Sequence, residues 1–159
     1  MSMEQENLIG MVEQRCPYAQ RSHMRMRTVE KEEGRITMAL EESQENLNAF
    51  GLVHAGAICG LVETATGSAL LNYIDPSEYI VLNTVLNIRF TAMGRGELSC
   101  TARVAADEFV VIMEEVIASG KADKTVDTMV KDAAGKVVAE AHATFRIMPT
   151  PDEFKSYFT

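Results

Sequence analysis

Between residues 55 and 74 the chain carries one side chain that is charged at neutral pH, Glu63. A helix with so little polarity on any side is buried rather than laid along a surface. Residues 52–74 have about the length of a membrane span, but they include His54, Glu63, Asn72, several glycines and several hydroxyls. Such groups are costly in lipid, so the stretch reads as a helix enclosed by its own protein. Asp75-Pro76 stops it, which places the helix over residues 55–73. At about 100° per residue, Ile58, Leu61, Val62, Ala65 and Ala69 gather on one face. Glu63 stands almost opposite, on a stripe that contains Gly56, Cys59, Gly60, Thr66 and Gly67.

The flanking sequence has to supply what encloses this helix. Residues 4–14 form a short amphipathic helix with Leu8, Met11 and Val12 on one side, ended by Pro17. From His23 the pattern has period two: Met24 and Met26 alternate with arginines, and Ile36, Met38 and Leu40 follow a turn at Glu32-Glu33-Gly34. After the long helix, Ile80, Leu82, Thr84, Leu86, Ile88 and Phe90 are expected to share a face, with Asn83, Asn87 and Arg89 on the other. Leu98, Cys100, Ala102 and Val104 mark another strand. Phe109, Ile112, Met113 and Val116 mark a connecting helix, with Asp107 as its expected N-cap and Gly120 as its stop. Two strands close the chain, carrying Val126, Thr128 and Val130, then Val137 through Ile147. One long apolar helix against a one-sided antiparallel sheet defines an α+β domain. The expected organisation is a single domain over 1–159: a helix at about 4–14, a core at 23–148 and a loose tail at 149–159.

Charge and cysteine usage narrow the partners. The net charge of −8 argues against nucleic acid, because phosphate binding needs a basic face. Cys16, Cys59 and Cys100 are too scattered for a disulfide framework or a metal motif, and Cys59 and Cys100 are expected in the core. Glu41, Glu42 and Glu45 read as a solvated loop, so no metal and no separate cofactor is expected. The opening MSMEQENLIG has no apolar core of a signal peptide, and the cytoplasm is the expected location.

Glu63 has two readings. It can anchor a close contact between small-residue surfaces, or it can sit beside room for a ligand, with burial raising its pKa. The segment Gly51-Leu52-Val53-His54-Ala55-Gly56 leads into the helix start, where free N–H groups can receive an oxygen that gains negative charge. A glycine-containing helix start is also common without function. His54 reads as structural before it reads as a base, and His23 and His142 as incidental. No Ser-His-Asp or Cys-His arrangement is suggested. The run from Arg89 to Arg95 is a candidate for contacting phosphates.

The segment Asn48-Ala-Phe-Gly51-Leu-Val-His54-Ala55-Gly56, with Glu63 nine positions after the histidine, resembles the N-x-x-G-x-x-H-G-G…D/E motif of PaaI-like hotdog acyl-CoA thioesterases. The strand around residues 86–90, the strand over 96–104 and the final hairpin over 132–145 are similar to later parts of that family, so the resemblance covers roughly residues 24–147. It implies a hotdog fold, in which a curved antiparallel sheet wraps the helix, and dimers or dimers of dimers with active sites between subunits. It also implies that Glu63 is the general base or nucleophile, that the N–H at Ala55, with Gly56 beside it, binds the thioester oxygen, and that Asn48 orients the carbonyl or water. Gly51, His54, Asn83 and Arg89 would then help bind an acyl-CoA, with coenzyme A part of the substrate. Glu63 and Ala55 are separated by ~12 Å of helix, so the resemblance pairs them across an interface.

Ala55 stands where the family has the first glycine of H-G-G, Asn83 only approximates its Ser or Thr, and Ala92-Met93 replaces its Pro-Ala. These departures keep a second function open, an acyl-CoA or fatty-acyl binding protein without turnover. A hotdog dehydratase or hydratase is disfavoured: neither the H-F-P-G loop nor the Asp/His motif is present, and no proline occurs between Pro17 and Pro76.

Overall fold

In the computed structural model, which describes residues 3–157, the apolar helix α3 (Ala55–Leu71) lies on one face of a six-stranded sheet. The strands are β1 (Met24–Glu30), β2 (Arg35–Leu40), β3 (Tyr79–Phe90), β4 (Leu98–Arg103), β5 (Ala122–Asp132) and β6 (Val137–Pro149). Their spatial order is β1-β2-β4-β5-β6-β3, and every pairing is antiparallel. α3 touches β2, β3, β4, β5 and β6, so the sheet curves around it. This is the hotdog fold.

The helix face predicted for the sheet is buried, and the buried face is wider than predicted, since Thr66 and Gly67, expected on the stripe with Glu63, are buried with it. Ile58, Leu61, Val62, Ala65 and Ala69 are enclosed and pack against Met38, Cys100, Val126, Val130, Ala141 and Phe145 from the strands. The small residues bring the layers close. A Cβ at Gly67 would stand 3.2 Å from the Phe145 ring. Cys100 is in this core, whereas Cys59 is only half-buried.

The N-terminal segment forms α1 (Met3–Arg15) and then α2 (Pro17–Arg21), with Pro17 in the first turn of the second helix, where its missing N–H costs nothing. The connecting helix α4 (Ala106–Ser119) starts two residues earlier than the aspartate signal implies. Ala105 is its N-cap; the Glu108 carboxylate reaches back to accept the Ala105 N–H at 2.9 Å, and Asp107, inside the first turn rather than at the cap, accepts the Glu108 N–H at 3.0 Å. Gly120, at φ 82°, ends it as predicted. Past β6, Thr150 is buried, with its hydroxyl donating to the Pro76 carbonyl at 2.9 Å, and α5 (Asp152–Lys155) follows. No described helix is long and apolar enough to cross a membrane.

β3 departs from the expected alternation. Its register against β6 shifts between Asn83 and Val85, so that Thr84 is an extra residue. Directly opposed residues in an antiparallel pair point to the same side, and one extra residue therefore exchanges the faces. Leu86 and Ile88 oppose the buried Ala143 and Ala141, on the helix side. Ile80 and Leu82 oppose Met148 and Arg146, on the outer side, and do not share the face of Leu86. Asn83 opposes the buried Phe145 and so moves to the helix side, away from Asn87 and Arg89.

The β1–β2 turn is tied to the far end of α3. Gly34, at φ 62°, accepts the Val104 N–H at 3.0 Å, and Tyr73 donates its hydroxyl to the Val104 carbonyl at 2.9 Å while stacking on Phe109 at 4.8 Å. A Cβ at Gly34 would overlap that carbonyl oxygen and the tyrosine hydroxyl, whereas Gly135, at φ 80°, has open space around it. Gly135→Ala is therefore expected to cost about 1–2 kcal/mol, the strain of a left-handed alanine. Gly34→Ala adds backbone overlap and is expected to cost more than about 4 kcal/mol. Urea denaturation of both variants checks this, and equal losses would show that crowding at Gly34 is unimportant.

Candidate active site

The loop before α3 is built around Asn48. Its side-chain Oδ1 accepts the N–H groups of Phe50 at 2.9 Å and Leu52 at 3.2 Å, and its own N–H donates to the Leu52 carbonyl at 2.8 Å. Gly51 completes the turn at φ 70°, a conformation that suits glycine. Below the turn, Leu47 and Val53 bridge, Val53 donates to the Gly94 carbonyl, and His54 donates to the Asn46 carbonyl at 2.8 Å. Asn46 is itself buried, with Nδ2 donating to the Ser22 carbonyl at 2.7 Å. The loop thus delivers His54 to the helix start in one orientation.

His54 is the N-cap of α3. Its Nδ1 accepts the Gly56 N–H at 2.9 Å, so that nitrogen carries no proton and the ring hydrogen sits on Nε2. The N–H groups of Ala57 and Ile58 go to the His54 carbonyl. Among the described residues, Ala55 is left as the first-turn amide without a protein acceptor, and it lies on the surface. Of the two amides singled out from the sequence, Gly56 is engaged by the cap and Ala55 is free to meet another group.

Glu63 lies two turns further along the same helix and is half-buried. Its one described side-chain partner is Thr64, whose hydroxyl donates at 3.4 Å, and no cation pairs with it among the described residues. Burial pushes its carboxyl above the usual glutamate range, and the threonine hydroxyl opposes this only in part. Gly56, Cys59 and Gly60 continue the same face toward the helix start, and they are half-buried or exposed.

A side chain that sequence reasoning missed stands on this face. Tyr18 of α2 places its ring over Gly60, and its hydroxyl lies 3.5 Å from the Gly56 carbonyl. The available signal was Gly60 itself, since a glycine inside a helix weakens it and asks what approaches there.

Asn83 and Arg89 are not part of this cluster. Asn83 donates from Nδ2 to the Thr144 and Val85 carbonyls at 3.2 Å, closing the β3 bulge. Arg89 is exposed and pairs with Glu140 of β6 at 2.9 Å. His23 and His142 pair with Glu45 and Asp127. A cavity of about 510 Å³ opens elsewhere, at the C-terminal end of α3, between Leu8, Met11, Leu71 and Ile74. It does not reach Glu63, and the chemistry of the carboxylate face outweighs its size.

A family model described as a domain of unknown function, DUF4442, matches residues 5–147. The chain belongs to the DUF4442 family. No curated protein matches its sequence. Among solved structures, this DUF4442 chain is similar to PA5026 of Pseudomonas aeruginosa, described as a protein of unknown function and probable thioesterase. The two are 25% identical with a TM-score of 0.83, over 94% of this chain and 98% of that one. It is also similar to thioesterase HI1161 of Haemophilus influenzae, at 12% identity and a TM-score of 0.73, over 96% and 95% of the two chains. A variant of thioesterase SAV0944 from Staphylococcus aureus is 21% identical, with a TM-score of 0.69, over 84% of this chain and 100% of that one. The last two likenesses establish the shared fold.

The raised pKa of Glu63 has a consequence for stability. Because protonation is easier in the folded state, the group's contribution is fully present below its ordinary value of about 4.3 and is lost as pH rises through the folded value. Glu63→Gln removes the ionisation. The variant is expected to melt higher than the wild type at pH 7, with the gap closing toward pH 4. Thermal melts across that range check this, and a gap that does not change with pH would mean that Glu63 is not held above its ordinary range.

Proposed function

We propose that the protein hydrolyses acyl-CoA, or a related acyl thioester, to the free acid and the thiol. The observation that carries this reading is Glu63: a lone carboxylate, half-buried, with no counter-ion among the described residues, on the face of α3 turned away from the sheet. A carboxylate held above its ordinary range by burial is a stronger base than a solvated glutamate and so better able to take a proton. In the general-base form of the reaction, Glu63 takes a proton from water as the water oxygen attacks the thioester carbon. The Ala55 N–H and the dipole of α3 receive the resulting oxyanion. Collapse breaks the C–S bond, and the proton held by Glu63 passes to the leaving thiolate. Direct attack by the carboxylate, followed by hydrolysis of the anhydride, uses the same groups.

In this reading Asn48 and Gly51 shape the loop, and Asn48 has its Nδ2 left to meet a carbonyl or water, since its Oδ1 serves the loop amides. His54 sets the helix start. Arg89 and Asn83 are second-rank candidates for the coenzyme A moiety, because both already have partners on β6. Coenzyme A enters as part of the substrate.

The reaction as proposed takes Glu63 from one chain and Ala55 from another, since one helix holds them ~12 Å apart. Two features support a homodimer or a dimer of dimers. β3 pairs on one side only and leaves a long edge, which proteins normally cover. Leu82, Val85 and Phe90 on that strand are exposed.

The second reading, an acyl-CoA binding protein without turnover, draws on the Gly56 N–H being taken by His54 and on the methyl group of Ala55. Turnover measurements separate the two. Glu63→Gln is expected to remain folded and to bind acyl-CoA while kcat falls by at least ~10². Hydrolysis at the wild-type rate by this variant would overturn the assignment of Glu63.

Ala55→Gly retains the amide and is expected to retain activity. Ala55→Pro removes it, in a helix position that tolerates proline, and is expected to lower kcat by about 10²–10³. Equal activity in the two folded variants would remove Ala55 from the mechanism. Sedimentation at micromolar protein is expected to give dimers or dimers of dimers, and a fully active monomer would rule out a shared site.

A further inference from the structure

Tyr18 stands on the strip of α3 that carries Glu63. Gly60 precedes Glu63 by one helical turn and follows Gly56 by another, so the three lie on one strip of α3. The tyrosine ring fills the notch above Gly60: a Cβ there would come within 2.6 Å of both its Cε1 and its Oη. Glycine at this position is therefore what allows an aromatic ring to reach the helix.

The wall is anchored. Ala19, the next residue, is fully buried, and Ser22 donates its N–H to the Tyr18 carbonyl at 2.9 Å. The Ser22 carbonyl in turn accepts from Asn46, in the loop that sets the start of α3. One side of the ring is thereby pinned to α3 at Gly56 and Gly60, one turn before Glu63, while 45% of the residue remains exposed.

We propose that Tyr18 is the wall of the acyl-binding groove beside Glu63 and sets the upper size of the acyl group admitted there. The inference rests on the reading of Glu63 and Ala55 as the thioester site, and it adds the residue that selects among substrates. A tyrosine offers an apolar ring with only two side-chain torsions, so it closes a groove without needing to be ordered at each binding event. Its hydroxyl, at 3.5 Å from the Gly56 carbonyl, is a weak tether, and the ring is what excludes.

The test measures kcat/KM by thiol release for straight-chain acyl-CoAs of increasing length, in the wild type, Tyr18→Ala, Tyr18→Leu and Tyr18→Phe. Tyr18→Ala is expected to raise the long-to-short ratio by at least roughly 10-fold, since a single methylene in a shaped pocket is worth about that much. Tyr18→Leu should shift the ratio the same way by less, and it carries the test if the alanine variant does not fold. Tyr18→Phe should keep the wild-type profile. A folded Tyr18→Leu or Tyr18→Ala with the wild-type ratio would overturn the proposal, as would a Tyr18→Phe profile that moves with the alanine one.

Calorimetric binding of non-hydrolysable S-alkyl-CoA thioethers of the same lengths separates this inference from the one beneath it. If no thioester is hydrolysed, or Glu63→Gln hydrolyses normally, the catalytic reading fails, while a changed length preference in thioether binding still supports the wall. If Glu63→Gln is inactive and neither hydrolysis nor binding changes its length preference, the wall alone is wrong.

Discussion

The burial of one face of α3 by five strands is the interaction from which the rest of the structure follows. Ile58, Leu61, Val62, Ala65 and Ala69 are buried where α3 meets the strands. Their removal from water, at roughly 25 cal/mol for each Å² of apolar surface, is the main favourable term available to a domain of this kind. A sheet that must touch a cylinder along much of its length has to curve. The small side chains of the interface set how close it comes, as Gly67 does against Phe145. The hairpin turn at Gly34 and the stack of Tyr73 on Phe109 then hold the C-terminal end of the helix against the first hairpin and α4.

Because the sheet takes one face of α3, the opposite face is where polar chemistry can be placed. That face carries Glu63, whose carboxyl is raised by desolvation and lacks a compensating cation among the described residues. The same helix presents the free Ala55 amide at its start, with His54 occupying the neighbouring one. A stability-optimised helix would not keep an unpaired acid half-buried beside glycines. This local conflict between stability and composition is the pattern expected of functional sites.

Much of this was legible in the amino-acid pattern. The lone charge in an apolar helix, the periodicity that separates Glu63 from Ile58 and Leu61, and the period-two strands other than β3 all depend on local spacing, and these survive in the structure. The face assignment of β3 was not legible, because a single extra residue at Thr84 reverses alternation and leaves no compositional mark. The N-cap of α4 was misplaced for a similar reason: Glu108 reaches back to the Ala105 amide, and side-chain reach is not encoded in residue type alone.

The sequence by itself determined the layer architecture and the residue on which function is proposed to turn, since burial of an apolar helix and isolation of one acid are properties of patterning. Only the tertiary structure decided what surrounds that residue. Tyr18 is distant in sequence from Gly60 yet lies on it, because α2 folds back over α3 through the buried Ala19 and the Asn46–Ser22 hydrogen bond. The division between Gly56, capped by His54, and Ala55, left free, likewise depends on one side-chain torsion at the helix start. Local pattern dictates which face of an element is buried, whereas contacts between distant segments depend on how the chain closes on itself, and no local spacing records that.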